Sequence, residues 1–397
     1  FFCSFHTHNY GFWRRIFSRF ICVPPTRLLW PAVTSPRRGI HLMKSIRSIR
    51  CFRFVRFFAA AAALFSLAAA AAVSLQFQKS SEAAPNQRRA NYIRRVDFTV
   101  PYEALDDASR YDIQTHGQPV ELHWIELLAW LACRNGGDFS RYRASDLEPA
   151  VSALLSGEET ISSLTRNLTH YTYYYNAYSA VLSGLLGSFE AETGETNADG
   201  SAATELRYGL KAFHPIAKNF PYSDCDDFGA PRSCGYKRPH LGHDMMGQIG
   251  TPIIAVESGT VEALGWNQYG GWRIGIRSFD HKRYYYYAHL RQNYPYALGL
   301  TEGSTVTAGD VIGYMGHTGC STAENTSNID ITHLHFGIQL IFDESQKDGD
   351  NQIWIDPYQL ILFLCSHRSE VQKIGDTREW ERVLNIRDPS ESAPSAG

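Results

Sequence analysis

The pattern of apolar and polar positions divides the chain into a helical part and a β part. The segment ELHWIELLAWLACRNGG, residues 121–137, places apolar residues at helical spacing and closes on two glycines, which predicts an amphipathic helix. A second helix is predicted after Asp146 and Pro149, and the aromatic run at 171–186 predicts a third. We expect residues 96–187 to form a small helical domain in which this aromatic stripe is core packing.

The β part begins near Tyr208. Short runs such as TPIIAV, WRIGIRS and KRYYYYAHL alternate and are separated by glycines, which predicts an antiparallel β domain over residues 205–366. Between the two parts, residues 188–204 are acidic, rich in small side chains and aperiodic, and we interpret them as an interdomain linker. Asp356 followed by proline predicts the start of a last helix, and residues 380–397 are expected to be a disordered tail.

The N-terminal segment combines positive charge with an apolar run. Residues 1–56 hold eleven Lys or Arg and no Asp or Glu, and the apolar run spans 57–77. This order is typical of export, with the basic flank kept inside. A retained membrane helix and a cleaved signal both fit. Because the first Met is Met43, residues 1–42 are expected to be an upstream leader rather than part of the working protein. The expected fold class is therefore multidomain α plus β, with a membrane or signal helix ahead of both parts.

Charge and cysteine content exclude several function classes. Beyond residue 56 the chain carries 27 basic against 40 acidic residues, a net charge of −13, which argues against a nucleic-acid partner. None of the eight cysteines forms a C-x-x-C pair, which excludes a zinc ribbon and a thioredoxin-like motif. Cys225 and Cys234 alone are close enough in sequence to suggest a disulfide, and their pairing stays open.

Histidines gather in the β part. His240 and Asp244 are four residues apart, which puts both on one side of an extended chain, with a glycine between them that lets the backbone bend. His333 and His335 are two apart on a predicted strand, so both imidazoles enter one cavity. His289 ends another strand, in the segment YAHL.

These residue types point to a metal-assisted hydrolase. Imidazole nitrogens with one carboxylate oxygen suit zinc, and three protein ligands leave one coordination position open for water. Zinc lowers the pKa of that water to about 7, which supplies a nucleophile at neutral pH. The chain has no H-E-x-x-H motif and hence no glutamate in the usual place of a zinc-protease base. The surplus histidines are therefore expected to act as the base.

Four blocks in this order resemble the lysostaphin-type, or LytM-like, zinc metallopeptidases that cut peptidoglycan peptides: RPHLGHDMMGQIGTPIIAVESGTV, YAHL, TVTAGDVIGYMGHTG and HLHFGI. The resemblance covers roughly residues 208–364. It implies a C-terminal antiparallel β-sheet metallopeptidase domain, a distorted sandwich or barrel–sandwich hybrid. It also implies one Zn²⁺ per chain, bound by His240, Asp244 and His335, with His289 and His333 as catalytic residues beside the open position.

Two departures from the family pattern concern the cleft. The link from Cys320 to Thr332 is several residues longer than usual, and Thr332 stands where the family usually has proline. We expect this insertion to border the cleft and to alter substrate choice. Gly337 follows HLHF where glutamate is common. No ligand is lost there, so we expect metal binding to be kept.

The sequence thus predicts a zinc endopeptidase acting on bacterial peptidoglycan peptides. We expect it at the cell membrane, single-pass with the C-terminal domain outside, or secreted to the cell wall. The alternative is a catalytically silent scaffold or activator in division or sporulation, although such members typically lack ligands that this chain keeps. A cupin-type oxygenase fits poorly, because the next acids after His335 are Asp343 and Glu344. The bond cut, in a glycine bridge, a D-alanyl linkage or the stem, stays open, as does a protein regulator.

Overall fold

The computed structural model describes residues 93–234 and 237–392. The predicted basic leader at 1–56, the apolar helix at 57–77 and the last five residues of the predicted tail lie outside the described residues. Within the described ranges, none of the helices combines the length and the apolar character that crossing a membrane requires.

The helical part follows the apolar periodicity of the sequence. Gly136 ends the predicted 121–137 helix in the left-handed conformation, with φ 69°, and its N–H bonds the carbonyl of Ala132. A buried carboxylate joins this helix to its neighbours, because Asp112 accepts from the backbone N–H of Trp124 at 2.9 Å and from the Tyr208 hydroxyl at 2.7 Å. The helices are α1 (Tyr102–Thr115), α2 (Trp124–Asn135), α3 (Glu148–Leu155), α4 (Ile161–Thr165), α5 (Tyr171–Leu182) and α6 (Tyr358–Phe363).

The predicted linker and most of the predicted tail form strands, so both predictions are wrong for the described residues. Residues 188–204 belong to a hairpin of β1 (Leu186–Thr196) and β2 (Ala202–Leu210). Within 380–392 the chain forms two short strands and a 3₁₀ turn, and one of these strands pairs with β1. The ladder hydrogen bonds are made by the backbone, so acidic, small side chains do not prevent them. The turn sequence NADGS was the overlooked signal. The predicted boundaries at 96–187 and 205–366 stay predictions.

The predicted antiparallel β domain is confirmed. Its strands are β3 (Ser223–Asp224), β4 (Pro231–Ser233), β5 (Lys237–Pro239), β6 (His243–Met246), β7 (Pro252–Ile254), β8 (Gly259–Asn267), β9 (Gly271–Ser278), β10 (Arg283–Ala288), β11 (Thr305–Val306), β12 (Val311–Tyr314), β13 (His333–Leu340) and β14 (Ile353–Ile355), and they are followed by β15 (Val371–Lys373), β16 (Trp380–Arg382) and β17 (Ile386–Arg387). The main sheet has the order β11-β8-β9-β10-β13-β6-β3, with β14 also pairing β13, and β7 pairs with β12 in a separate two-stranded sheet.

Alternate residues of strand β13 face opposite sides of the sheet, with the core on one side and the site on the other. Leu334 and Phe336 are buried, and the Phe336 ring packs against Tyr287 with 5.2 Å between ring centroids. His333 and His335 point to the other face, as the two-residue spacing predicts. The core therefore fixes the side of the sheet on which both imidazoles lie.

Candidate metal centre

Three polar atoms converge where β6 and β13 pair. Asp244 and His335 face each other across these two strands, and their Oδ1 and Nδ1 atoms are 3.1 Å apart. His240 precedes β6, and its Nε2 lies 2.8 Å from Nδ1 of His335 and 2.9 Å from Oδ1 of Asp244. The structure therefore brings the three predicted ligands together in one triangle.

Gly242 is needed here for close approach rather than for a bend. A Cβ at this position would lie 2.6 Å from the Phe336 carbonyl oxygen and 2.7 Å from the His335 ring. Its φ is not positive. A side chain at position 242 would thus displace His335, one of the three converging residues.

The donor set of the triangle fits a zinc ion. The Nδ1–H of His240 donates to the backbone carbonyl of Asp227 at 3.1 Å, which leaves Nε2 as a bare lone pair. That lone pair faces Nδ1 of His335 and a carboxylate oxygen. Three acceptors this close repel one another unless a proton or a metal ion lies between them. Two imidazole nitrogens and one carboxylate oxygen are ligands that zinc prefers, with one position left over.

The charges around the triangle favour a cation. Burial alone would raise the pKa of Asp244, but hydrogen bonds with His240 and His335 hold it well below its usual range. Burial alone would lower the pKa of His240, but the carboxylates of Asp227 and Asp244 raise it to about 9. A proton and a metal ion compete for the same lone pair, so the negative charge that holds the proton also attracts the metal.

The two predicted catalytic histidines lie beside the triangle. His333 donates from Nδ1 to the Ile331 carbonyl at 2.7 Å, and His289 donates from Nδ1 to the Thr318 carbonyl at 2.8 Å. Their ring centroids are 4.7 Å apart, and Nε2 of His333 lies 3.7 Å from Oδ1 of Asp244. Each ring therefore keeps Nε2 as an acceptor. Burial and the neighbouring histidines lower the pKa of His289 to about 3, which keeps it neutral.

Sequence reasoning missed two residues that support the triangle. Asp227 orients His240, and Arg232 donates to the Asp244 Oδ2 atom at 3.0 Å while also pairing with the Asp227 carboxylate. Arg232 therefore leaves the other oxygen of Asp244 facing the two imidazoles. Neither residue has a spacing that marks it, because Asp227 lies in a loop and Arg232 lies in the three-residue strand β4; the acidic run DCDD was the available hint. His243, expected to be a packing or surface residue, is buried against Asp224 and lies outside the triangle.

The triangle opens into a cleft of about 730 Å³. A disulfide between Cys234 and Cys320 joins the β4–β5 hairpin to the loop before β13 at the rim. The suggested pairing of Cys225 with Cys234 is therefore wrong, and Cys225 is free. The true partner is 86 residues away in sequence, which only the tertiary fold brings near. As expected, the inserted loop borders the cleft, through residues 328–331.

Gly337 shapes the opposite wall. A Cβ there would lie 2.8 Å from the Trp354 ring and 2.9 Å from the Leu241 carbonyl oxygen. Without a side chain at 337, the indole of Trp354 packs over the sheet, 6.2 Å from the Tyr286 ring between centroids. Both aromatic side chains line the cleft.

Parts of the chain are similar to known proteins. The chain is 36% identical over 151 residues to the L-Ala–D-Glu endopeptidase of Bacillus subtilis, covering 38% of this chain and 42% of that protein. It is 38% identical over 98 residues to lysostaphin of Staphylococcus staphylolyticus, covering 24% and 18%. The solved catalytic domain of lysostaphin from Staphylococcus simulans is 30% identical, with 36% of this chain and 92% of that chain covered and a TM-score of 0.28. The chain thus spans less than half the length of the two curated relatives.

The family match falls on the part of the chain that carries the triangle. Residues 238–351 match peptidase family M23. This range contains His240, Asp244 and His335, together with both neighbouring histidines. The chain therefore carries a domain of peptidase family M23, the LytM-like metallopeptidases.

Proposed function

We propose that this protein is a zinc endopeptidase that hydrolyses peptide bonds in bacterial peptidoglycan. The single observation that carries the proposal is the convergence of His240, Asp244 and His335, with ligand atoms 2.8–3.1 Å apart, at the base of an open cleft. Relatives named as an L-Ala–D-Glu endopeptidase and a glycyl-glycine endopeptidase support peptidoglycan peptides as the substrate class.

In this proposal each residue of the triangle has a defined part. His240 through Nε2, His335 through Nδ1 and Asp244 through Oδ1 would hold the ion, with Asp227 orienting His240 and Arg232 orienting Asp244. A bound zinc ion would supply Lewis acidity, which lowers the pKa of water at the metal to about 7 and polarises a carbonyl oxygen.

The remaining histidines, His289 and His333, would accept and then donate the proton that is transferred in the reaction. Nε2 of His333 and Nε2 of His289 are acceptors, because both Nδ1 atoms donate to backbone carbonyls. One of them takes the proton of the attacking water. The protonated Nε2 then becomes a donor, which stabilises the oxygen that gains negative charge at the scissile carbonyl and later protonates the leaving amine.

Digestion of purified peptidoglycan tests this function. We expect the full chain to release soluble muropeptides and to bind one zinc per chain, and the His335→Ala variant to do neither. His170→Ala is the matched control, since His170 is exposed and lies outside the M23 domain. Equal release by wild type and His335→Ala would refute the assigned site, and a wild type that binds zinc but releases nothing would favour a silent scaffold.

We also propose that the domain works outside the cytoplasm. The support is the disulfide between Cys234 and Cys320, because such bonds persist in oxidising compartments. Thiol labelling of protein denatured directly from intact cells tests it: these two cysteines should resist the label until a reductant is added, whereas the exposed Cys225 should react at once. Labelling of all three without reductant would contradict the proposal.

A further inference from the structure

Arg273 and Arg238 line the cleft and form a cationic patch in it. Arg273 lies on the same face of the sheet as the triangle. In the ladder Ala288 pairs with His335, and Tyr286 pairs with Gly275. Continuing this register places Arg273 of β9 opposite Ala288, in line with His335 and two strands away. At a strand spacing of about 4.8 Å, the backbones of Arg273 and His335 are roughly 10 Å apart. That is about the length of two or three residues of an extended peptide.

Arg273 differs from two other cations of the cleft, Arg232 and Lys347. Arg232 is bound to Asp227 and Asp244, and Lys347 is bound to Glu262. For Arg273 no ion pair is present among the described residues; its guanidinium has a hydrogen bond with the hydroxyl of Tyr284, and its Nε is buried without an acceptor. A ligand carboxylate in the cleft would be a stronger acceptor for this guanidinium than a neutral hydroxyl, because charge-assisted hydrogen bonds are the stronger ones.

The surroundings hold this guanidinium in place. Tyr284 crosses the sheet beside it, because Gly275 has no side chain and a Cβ there would overlap the Tyr284 hydroxyl. Tyr286, whose ring centroid is 5.8 Å from that of His335, lies between the triangle and the patch. The guanidinium of Arg238 adds a second positive charge to the cleft lining, stacked 5.0 Å from the centre of the Tyr269 ring. The acids of the lining outside the triangle, Asp330 and Asp348, are exposed.

We propose that Arg273, assisted by Arg238, binds a carboxylate of the substrate two or three residues from the scissile bond. The substrate is then an acidic stem peptide, with the free carboxylate of a γ-linked D-glutamate, rather than a bridge made of glycine alone. This inference rests on the proposed function of the same site and narrows it. Arg273 would be a specificity-determining residue.

The experiment compares two peptides that differ by one charge. They are L-Ala–γ-D-Glu–L-Lys–D-Ala and its counterpart with D-isoglutamine, both with amidated C-termini. We expect the zinc-loaded full chain to cleave the acid with a kcat/KM about tenfold or more above that of the amide, because a charge-assisted bidentate pair is lost in the amide. In Arg273→Gln the acid should lose this advantage, so that the ratio of the two kcat/KM values falls toward one. Arg141→Gln, which removes an exposed positive charge outside the M23 domain, should keep the wild-type ratio.

Binding to EDTA-treated protein separates this proposal from the function on which it rests. Peptide titration should give a tighter Kd for the acid in wild type and equal values in Arg273→Gln. If the wild type cleaves nothing but this difference in binding persists, the subsite stands and the endopeptidase function fails. If Arg273→Gln keeps the wild-type preference in both assays, or if pentaglycine is cleaved and the acid peptide is neither cut nor bound, the subsite is refuted.

Discussion

Two buried charge clusters of this molecule contrast in how their donors and acceptors match. In the first cluster, Arg283 is 1% exposed, and it donates from Nε and Nη2 to the two Glu257 oxygens at 2.7 and 2.9 Å. It also donates to the Asp280 carboxylate at 3.0 Å and to the Ala180 carbonyl at 2.7 Å. Tyr285 completes the set by donating to Glu257 at 2.5 Å. Each donor meets an acceptor, and the cluster ties helix α5 to the sheet.

In the triangle of His240, Asp244 and His335, donors and acceptors do not match in this way. Its acceptors face one another, while the Nδ1–H of His240 donates away from them to the Asp227 carbonyl and Arg232 donates to the other oxygen of Asp244. A cluster in which every donor meets an acceptor has a structural role, because no hydrogen-bonding group is left over. A cluster whose acceptors converge needs a proton or a metal ion between them, which is why we propose it as the site of chemistry.

The largest effect should come from removing one acceptor of the triangle. Asp244→Asn keeps the shape but supplies a neutral oxygen, so zinc should be lost and peptidoglycan release should fall on the order of 10³-fold or more, since a catalytic metal contributes several kcal/mol. Zinc content and muropeptide release are the measurements. Stability of the EDTA-treated protein in urea should change far less than activity. Full activity with bound zinc would mean that Asp244 is not a ligand.

The corresponding change in the Arg283 cluster should lower the stability of the protein and leave zinc binding unchanged. Glu257→Gln leaves Arg283 buried beside a neutral partner, which should cost about 3 kcal/mol of unfolding free energy. Zinc stoichiometry should stay at one. Asp280→Asn is the control: this side chain is 36% exposed, so its pair with Arg283 contributes about 1 kcal/mol or less. Loss of zinc in Glu257→Gln without loss of stability would overturn the distinction between the two clusters.

A third change tests Asp227, which orients one ligand of the triangle, His240. Asp227→Asn keeps a side chain beside His240 but removes the charge, so we expect zinc affinity to fall about 10- to 100-fold with activity restored at saturating zinc. Competition with a zinc chelator of known affinity measures this. Unchanged affinity would show that the backbone carbonyl of Asp227 alone orients His240.

The sequence predicted the parts of the site that depend on local spacing. Because a strand alternates, the two-residue spacing of His333 and His335 was sufficient to put both rings on one face. Asp227 and Arg232 could not be found in this way, because one lies in a loop and the other in the short strand β4, and tertiary contacts bring both to the ligands. The same limit applied to Cys234, whose partner lies 86 residues away.

The fold errors have a similar cause. The helix over residues 121–137 was predicted because apolar side chains at helical spacing mark a buried face. The hairpin over residues 188–204 was not, because its strands are mostly exposed and their pairing uses backbone groups that every sequence has. The helical, antiparallel and active-site features that were predicted thus share one property: each requires side chains of one type to recur at a regular spacing in the sequence.

Zinc-free stability should also depend on pH. Burial lowers the pKa of His240 and of His243, but neighbouring carboxylates outweigh it and raise each to about 9, above the roughly 6.5 of the unfolded chain. This stabilisation is therefore complete below pH 6.5 and is lost as the pH rises toward 9, with a slope of at most about 1.4 kcal/mol per pH unit for each group. Urea unfolding of the EDTA-treated chain between pH 6 and about 9 measures it.

Zinc should flatten this dependence, since the ion replaces the proton on Nε2 of His240 while His243 keeps its own. His240→Gln should flatten the zinc-free curve to the same extent, because it removes the same titration. The Arg283 cluster supplies the reference: Glu257→Gln should lower the zinc-free curve without altering its slope over this range. If the wild-type curves with and without zinc run parallel from pH 6.5 to 9, the triangle does not exchange a proton for a metal. The contrast between the two clusters would then be one of geometry and not of charge.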